Sequence, residues 1–331
     1  MELISPAILK QQFPLRAKQF VQNARAACRD ILQRKDPRLA VIMGPCSIHD
    51  PNAAFEYAQR LKTLSNEIDD QFMLIMRVFI EKPRTCLGWK GYLYDPLLNG
   101  SYDIESGIRR SRELMLEITD LGVPIATEFL NPILSPFFDD LVSWGLIGAR
   151  TSASQPHRQM ASNFPFPVGF KNDCQGRIDE AIAAIIYSQN RHQYVAINEH
   201  GSLAKISSSG NKDSHLVLRG SVSASNYDSR SIQEALDQLT SQNIHTGLLI
   251  DCSHGNCGKN HERQAAVFTS VIKQAKTNNS IAGLMLESHL FEGKQALGET
   301  LQYGVSITDP CIGWEESETL LLSTSMRSVQ N

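Results

Sequence analysis

The sequence predicts an α/β fold: a closed (β/α)8 barrel with a helical extension before it and a β-hairpin inserted ahead of the sixth strand. Three observations carry this expectation. Short β-rich apolar runs alternate with amphipathic stretches from residue 39 onward, the pattern of βα units in a parallel sheet. Eight runs, each followed by a helical stretch, fit within roughly 290 residues, which suits one closed barrel better than an open sheet. The 331 residues contain no internal repeat and no low-complexity tract that would divide them otherwise.

Between Pro14 and Lys35, the apolar residues Leu15, Phe20, Val21, Ala24, Cys28, Ile31 and Leu32 recur at helical spacing, with Pro14 suited to a first helical position. This helix belongs to an extension over residues 1–37, and the barrel is expected over 38–331. The strands are expected at 39–46, 72–80, 124–130, 146–151, 167–171, 215–220, 246–253 and 281–288. The helices are expected at 52–68, 104–121, 133–143, 155–162, 176–189, 228–242, 260–277 and 315–328. Two segments break the rhythm. Residues 81–103 make a connection long enough to carry function. Residues 192–214 read as a hairpin around Gly201 and Ser208-Ser209-Gly210.

Composition narrows the function. A net charge of −3 argues against a general nucleic-acid binder, whose affinity comes from Lys and Arg meeting phosphates. The first twenty residues lack the apolar stretch of a signal peptide, and no uncharged apolar run is long enough to span a bilayer. A cytoplasmic address with no membrane partner is therefore expected. Seven cysteines at irregular spacing fit reduced thiols better than a disulfide framework.

In such a barrel, catalytic groups come from the C-terminal ends of several strands. Those ends bring Arg77, Lys82, Arg84, Arg150, Lys171 and Arg219, a cationic set suited to phosphate and carboxylate. They also bring Cys46, His254, Glu287 and Asp309, types that ligate divalent transition metals, together with Glu128. With a divalent cation present the ionised site would carry about +4, which two phosphoryl groups and one carboxylate nearly neutralise. Cys252, His254 and Cys257 form a Cys-x-His-x-x-Cys run, but a closed zinc site needs a fourth ligand, and free buried cysteine is commoner. The remaining histidines are expected to be structural, with His289 beside Glu287 a supporting group for a metal ligand at best. Cys311, two residues past Asp309, is expected to approach Cys46 in metal-free protein, where the two thiols can oxidise to a disulfide.

These residues carry a family resemblance. Gly44-Pro45-Cys46-Ser47-Ile48-His49-Asp50, Lys82-Pro83-Arg84-Thr85, Gly148-Ala149-Arg150-Thr151, Gly169-Phe170-Lys171-Asn172, Leu218-Arg219-Gly220, Ser253-His254, Glu287-Ser288-His289-Leu290 and Ile307-Thr308-Asp309 through Gly313-Trp314 resemble the type I 3-deoxy-D-arabino-heptulosonate 7-phosphate (DAHP) synthases over about residues 14–328. The resemblance implies a metal-dependent condensation of phosphoenolpyruvate with erythrose 4-phosphate, the first step of the shikimate pathway. It implies one divalent ion (Mn, Fe, Co or Zn) on Cys46, His254, Glu287 and Asp309, and phosphoenolpyruvate on Arg77, Lys82, Arg150, Lys171 and Arg219. It places the erythrose 4-phosphate phosphate on Arg84 and Thr85, with Lys82 and Asp309 near its other polar groups and Glu128 near phosphoenolpyruvate. A homodimer or homotetramer is implied, and an aromatic amino acid effector site built by the leader and the hairpin, near Pro165 and Ala196. Ser221, Cys252 and Gly255 depart from the family pattern without altering the charges of the rim. Two rivals are a 3-deoxy-D-manno-octulosonate 8-phosphate synthase, against which Lys82-Pro83-Arg84-Thr85 argues, and a silent regulatory paralogue, against which the full ligand set argues.

Overall fold

A computed structural model describes residues 2–298 and 300–324. The strands β1 (Leu39–Gly44), β2 (Phe72–Arg77), β3 (Ile125–Glu128), β4 (Trp144–Ile147) and β5 (Val168–Lys171) are followed by a separate hairpin, β6 (Gln193–Ile197) and β7 (Leu203–Ser207). The chain then returns through β8 (Ser214–Leu218), β9 (Leu248–Asp251) and β10 (Ile281–Glu287). The eight parallel strands close in the order β1-β10-β9-β8-β5-β4-β3-β2. Their near-continuous apolar runs are explained by burial on both faces, against the barrel interior and against the helices: every residue of β2, β3, β4, β5, β8, β9 and β10 is buried.

The helices are α1 (Pro6–Gln12), α2 (Lys18–Leu32), α3 (Pro51–Ile68), α4 (Ile104–Asp120), α5 (Gln155–Asn163), α6 (Asp179–Ser188), α7 (Ser229–Ser241), α8 (Gln264–Ala275) and α9 (Trp314–Thr324). Local chemistry starts several of them. Asp50, Asp103 and Asp228 accept backbone N–H groups at the N-termini of α3, α4 and α7, satisfying donors that a helix start leaves unpaired. The barrel interior joins Ala40, Ile42, Ile75, Trp144, Leu146, Val217, Leu249 and Met285 with Ala24, Cys28, Ile31 and Leu32 of α2. The amphipathic face of α2 thus stoppers one end of the barrel, leaving the other end for chemistry.

The leader differs from the single helix expected over 14–35. It is two helices, and Pro14 lies in the break between them rather than at a helical start. The first, α1, follows from Ser5, whose Oγ accepts from Ile8 N at 3.4 Å, and from Pro6 at the first helical position. It meets the hairpin, with Ala7 N donating to Glu199 O at 2.7 Å and Lys10 Nζ pairing with Asp139 at 2.9 Å and Glu199 at 3.4 Å. The helix expected over 133–143 is a 3-10 helix, Pro132–Phe137, because Pro136 lacks the N–H an α-helix needs there. The fourth strand starts at Trp144, two residues before its expected start, and residues 148–151 form a turn closed by Thr151 N to Gly148 O at 3.0 Å. Residues 325–328 of the expected last helix lie outside the described residues.

One buried histidine ties barrel stability to pH. His215 on β8 is fully buried, its Nδ1 donates to Asp213 O at 2.9 Å, and its Nε2 accepts from Trp144 Nε1 at 3.1 Å. Both ring nitrogens are satisfied only in the neutral form, and burial pushes its pKa from 6.5 down to about 4. The unfolded chain therefore binds a proton that the native state refuses, and stability falls as pH drops from about 6.5 toward 4, by up to about 3 kcal/mol. Urea unfolding of wild type and His215→Gln between pH 7 and 4.5 is expected to show a steeper acid loss in the wild type. Equal pH slopes would remove the histidine as the cause.

Candidate active site

At the C-terminal end of the strands lies a cavity of about 460 Å³, lined among others by Arg77, Lys82, Arg84, Thr85, Glu128, Arg150, Lys171, Arg219, His254, Glu287 and Asp309. Cys46, just after β1, is fully buried beneath this lining. The residues singled out from sequence thus converge, although they come from all eight strand ends and the loop after β10.

The acidic and sulfur groups gather on one side. Donor atoms of Cys46, Glu287 and Asp309 lie within 4.8 Å of one another, and His254 Nε2 is 3.7 Å from Glu287 Oε1. The buried Cys46 thiol and Glu287 carboxylate, the half-buried His254 imidazole and the exposed Asp309 carboxylate make a mixed donor set that suits a borderline-soft divalent cation. Lys82 Nζ lies 2.7 Å from Cys46 Sγ and 3.1 Å from Asp309 Oδ2. Burial, and then the charge of Glu287, pushes the Cys46 thiol up to about 12. Burial also opposes the charge on Asp309, but Lys82 and His254 outweigh it and hold the carboxyl well below its ordinary value. Burial opposes the Lys82 ammonium in turn, and Cys46, Asp309 and Glu287 keep it protonated. A cation entering this cluster would displace the thiol proton, since a thiolate is the ligating form.

The cations line the rest. Arg77 is buried, its Nη2 paired with Glu287 Oε1 at 3.1 Å and its guanidinium 4.2 Å from the Phe79 ring centroid, while Nη1 is buried with no hydrogen-bond partner. An orphaned guanidinium nitrogen on a cavity wall is a ready donor to an anion. Arg150 Nε donates to Thr85 Oγ1 at 3.1 Å, so the loop after β2 rests on the loop after β4. The 81–103 connection is coiled on itself: Arg84 Nε donates to Trp89 O at 2.7 Å and Lys82 N to Lys90 O at 2.9 Å. Gly148 matters for Glu128, because an added Cβ would collide with Glu128 Oε1.

Four supporting residues were not singled out by the sequence. Asp251, at the end of β9, places Oδ2 2.7 Å from Lys171 Nζ. Asn172 Oδ1 accepts from Arg219 N at 2.8 Å. Gln264 brackets Glu287, donating to its carbonyl at 3.1 Å and accepting from its N–H at 2.9 Å. Glu81 accepts from Tyr94 Oη at 3.1 Å and Leu130 N at 3.3 Å, tying the loop after β2 to the loop after β3, and burial pushes its carboxyl up to about 7. For Asp251, Asn172 and Glu81 the available signal was a position beside charged residues at or just after strand ends, and Gln264, at the start of α8, offered none. His289 Nδ1 accepts from Leu290 N at 2.8 Å. Cys252 and Cys257 are buried and free, and the clustered donors do not include them.

The fold and this mouth define a (β/α)8-barrel enzyme that handles anionic substrates beside a candidate metal centre. Residues 12–322 match the family model described as the DAHP synthetase I family. The chain is 45% identical over 325 residues to the Tyr-sensitive phospho-2-dehydro-3-deoxyheptonate aldolase of Escherichia coli K12, covering 96% of this chain and 91% of that protein. It is likewise 45% identical to the Trp-sensitive enzyme of Enterobacter agglomerans, covering 96% of this chain and 93% of that one. A solved phospho-2-dehydro-3-deoxyheptonate aldolase from Francisella tularensis SCHU S4 superposes with a TM-score of 0.97 at 39% identity, covering 98% of this chain and 96% of that one. The chain belongs to the DAHP synthetase I family.

Gly148→Ala tests the packing at this wall. The new methyl group is expected to cost about 1–3 kcal/mol, as overpacking does, and to displace Glu128. Urea unfolding and a crystal structure of the variant check both, and an unchanged Glu128 would mean that another group makes room.

Proposed function

We propose that this protein condenses phosphoenolpyruvate with D-erythrose 4-phosphate and water to give DAHP and inorganic phosphate, the first step of the shikimate pathway. The observation that carries it is the clustering of Cys46, Glu287 and Asp309 beside Lys82 and Arg77, with Arg150, Lys171 and Arg219 lining the same cavity, in a chain of this family.

The methylene carbon of phosphoenolpyruvate bonds to the aldehyde carbon, water adds to the neighbouring carbon, and phosphate leaves with its bridging oxygen. Arg77, Arg150, Lys171 and Arg219 bind the phosphate and carboxylate of phosphoenolpyruvate, while Arg84 and Thr85 receive the sugar phosphate. Holding both anions in one orientation turns a bimolecular encounter into a directed one. Lys82, kept protonated by its anionic neighbours, gives its proton to the alkoxide that develops on the aldehyde oxygen. Glu128 is the lining carboxylate outside the donor cluster, and it takes the proton from the attacking water. A divalent cation held by Cys46, His254, Glu287 and Asp309 supplies Lewis acidity toward the carbonyl oxygen when bound.

The relatives are Tyr-, Trp- and Phe-sensitive, and an aromatic amino acid is the effector class proposed for this chain. The contact between α1 and the hairpin supports a site between these two elements as the proposed location. Exposed Val195 and Leu203 on that hairpin, with Leu3 and Ile8 beside the leader, support assembly with further copies of the chain. Among the described residues no helix is long and apolar enough to cross a membrane; a cytoplasmic location is part of the proposal.

Purified protein given both substrates is expected to release phosphate and form DAHP, and to prefer the four-carbon sugar phosphate over a five-carbon one. Chelation should abolish turnover, and one or more of manganese, iron, cobalt or zinc should restore it; full activity after rigorous metal removal would overturn the metal assignment. Arg150→Ala is expected to raise the KM for phosphoenolpyruvate about tenfold or more with metal content unchanged, as loss of a charge-assisted bond of roughly 1.5–3 kcal/mol does. Unchanged kinetics would take Arg150 out of the substrate site.

A further inference from the structure

Asp251 connects two parts of the mouth. Its side chain is completely buried at the end of β9. One oxygen, Oδ1, accepts from Ser253 N at 3.0 Å and from Ser253 Oγ at 2.5 Å. The other, Oδ2, lies 2.7 Å from Lys171 Nζ and 2.9 Å from His254 Nδ1. Ser253 Oγ is itself 2.7 Å from His254 Nδ1.

This geometry assigns the imidazole proton. A serine hydroxyl has one hydrogen, and the carboxylate, a charged acceptor, takes it. Ser253 Oγ therefore turns a lone pair toward His254. Both neighbours of Nδ1 are then acceptors, so Nδ1 carries a hydrogen, and Nε2, 3.7 Å from Glu287 Oε1, is the nitrogen turned toward the donor cluster. A neutral imidazole with one nitrogen free and the other held by a carboxylate is the form that binds metal well. His254 reaches this position from a left-handed backbone, φ +55°, a conformation few residues adopt and one that persists where the surroundings enforce it.

We propose that Asp251 is a positioning residue shared by the metal and phosphoenolpyruvate halves of the site, fixing His254 in its Nδ1–H form and holding the Lys171 ammonium at the cavity wall with the same carboxylate. The proposal rests on the function assigned above. Burial opposes the charge on Asp251, and Lys171, His254 and Arg77 outweigh it, which keeps the carboxylate ionised for this purpose.

Asp251→Asn is the informative change. The Asn oxygen stays with Ser253 N, which leaves the NH₂ group facing two donors, Lys171 and His254. The imidazole relieves the clash by moving its hydrogen to Nε2, the nitrogen needed for ligation, and Lys171 loses its counter-charge. Long-range ¹H–¹⁵N spectra of metal-free protein labelled in its histidine rings read the tautomer directly, with the His254 signals assigned by their loss in His254→Gln. Wild type and Ser253→Ala are expected to show Nδ1–H at His254, and Asp251→Asn to show Nε2–H, with the remote Nδ1–H of His215 unchanged as an internal sign of an intact barrel. Cobalt(II) titrations followed by thiolate absorption are expected to show affinity reduced about 10–100-fold in Asp251→Asn. Calorimetry on metal-free protein is expected to show phosphoenolpyruvate binding weakened about tenfold or more, as breaking a buried charge pair does.

An Nε2–H wild type, a tautomer flip in Ser253→Ala, or an Asp251→Asn protein with unchanged tautomer and ligand affinities would each overturn the proposal. Where Asp251→Asn fails to fold, the wild-type and Ser253→Ala spectra still decide it. A wild type that binds no cobalt would refute the metal assignment, while the spectra would continue to judge Asp251.

Discussion

Closure of the sheet between β1 and β10 is the constraint on which the site depends. In that pairing Gly44 lies opposite Glu287, and Ser288 N donates to Gly44 O at 2.9 Å. The turn carrying Cys46 is thereby pressed against the strand end carrying Glu287, although 241 residues of chain separate them by number. Ile312 N bonds back to Glu287 O at 3.0 Å, which folds the segment after Asp309 over the same place. Because side chains alternate along a strand, a slip of one residue would turn Glu287 out of the mouth. The donor cluster is thus a product of ladder register before it is a product of side-chain chemistry.

The mouth is built from charges that are costly to bury singly and tolerable in sets. Arg77 leans on Glu287, Lys171 on Asp251, and Lys82 on Cys46 and Asp309. An ion removed from water needs a partner with good geometry, and extra hydrogen bonds to complete it. Ser253 gives Asp251 two such bonds, while Gln264 pins the backbone N–H and carbonyl of Glu287 and so fixes where that carboxylate starts. Arg77 Nη1 remains without a partner. That nitrogen is left for an incoming anion to complete.

Much of this was legible in the sequence because barrel strands leave a plain trace, apolar runs at even intervals with a polar residue at each exit. Six cations, three of the four residues proposed to hold a metal, Glu128 and Thr85 were visible as strand-end residues or their sequence neighbours, and Asp309 in the loop after the last strand. The misses have local causes. Pro14 resembles a helix start, but Ser5 and Pro6 supply the earlier one, and α2 begins only at Lys18. Residues 133–143 have helical spacing, yet Pro136 limits them to a single short 3-10 segment. Asp251 was in view beside Ser253-His254, but its partner Lys171 lies 80 residues earlier on a strand two places round the barrel. Such a pairing exists only after folding, and no spacing in the chain announces it.

The hairpin between β5 and β8 sits outside the ladder it interrupts. Lys171 still faces Val217 directly, as though β6 and β7 were absent. Together with α1, the inserted strands form an annex joined to the wall by Leu9 and Ile197 packed on the core and by a few polar ties. Such an arrangement leaves the inserted strands free to lengthen or diverge without shifting the ladder register that sets the rim.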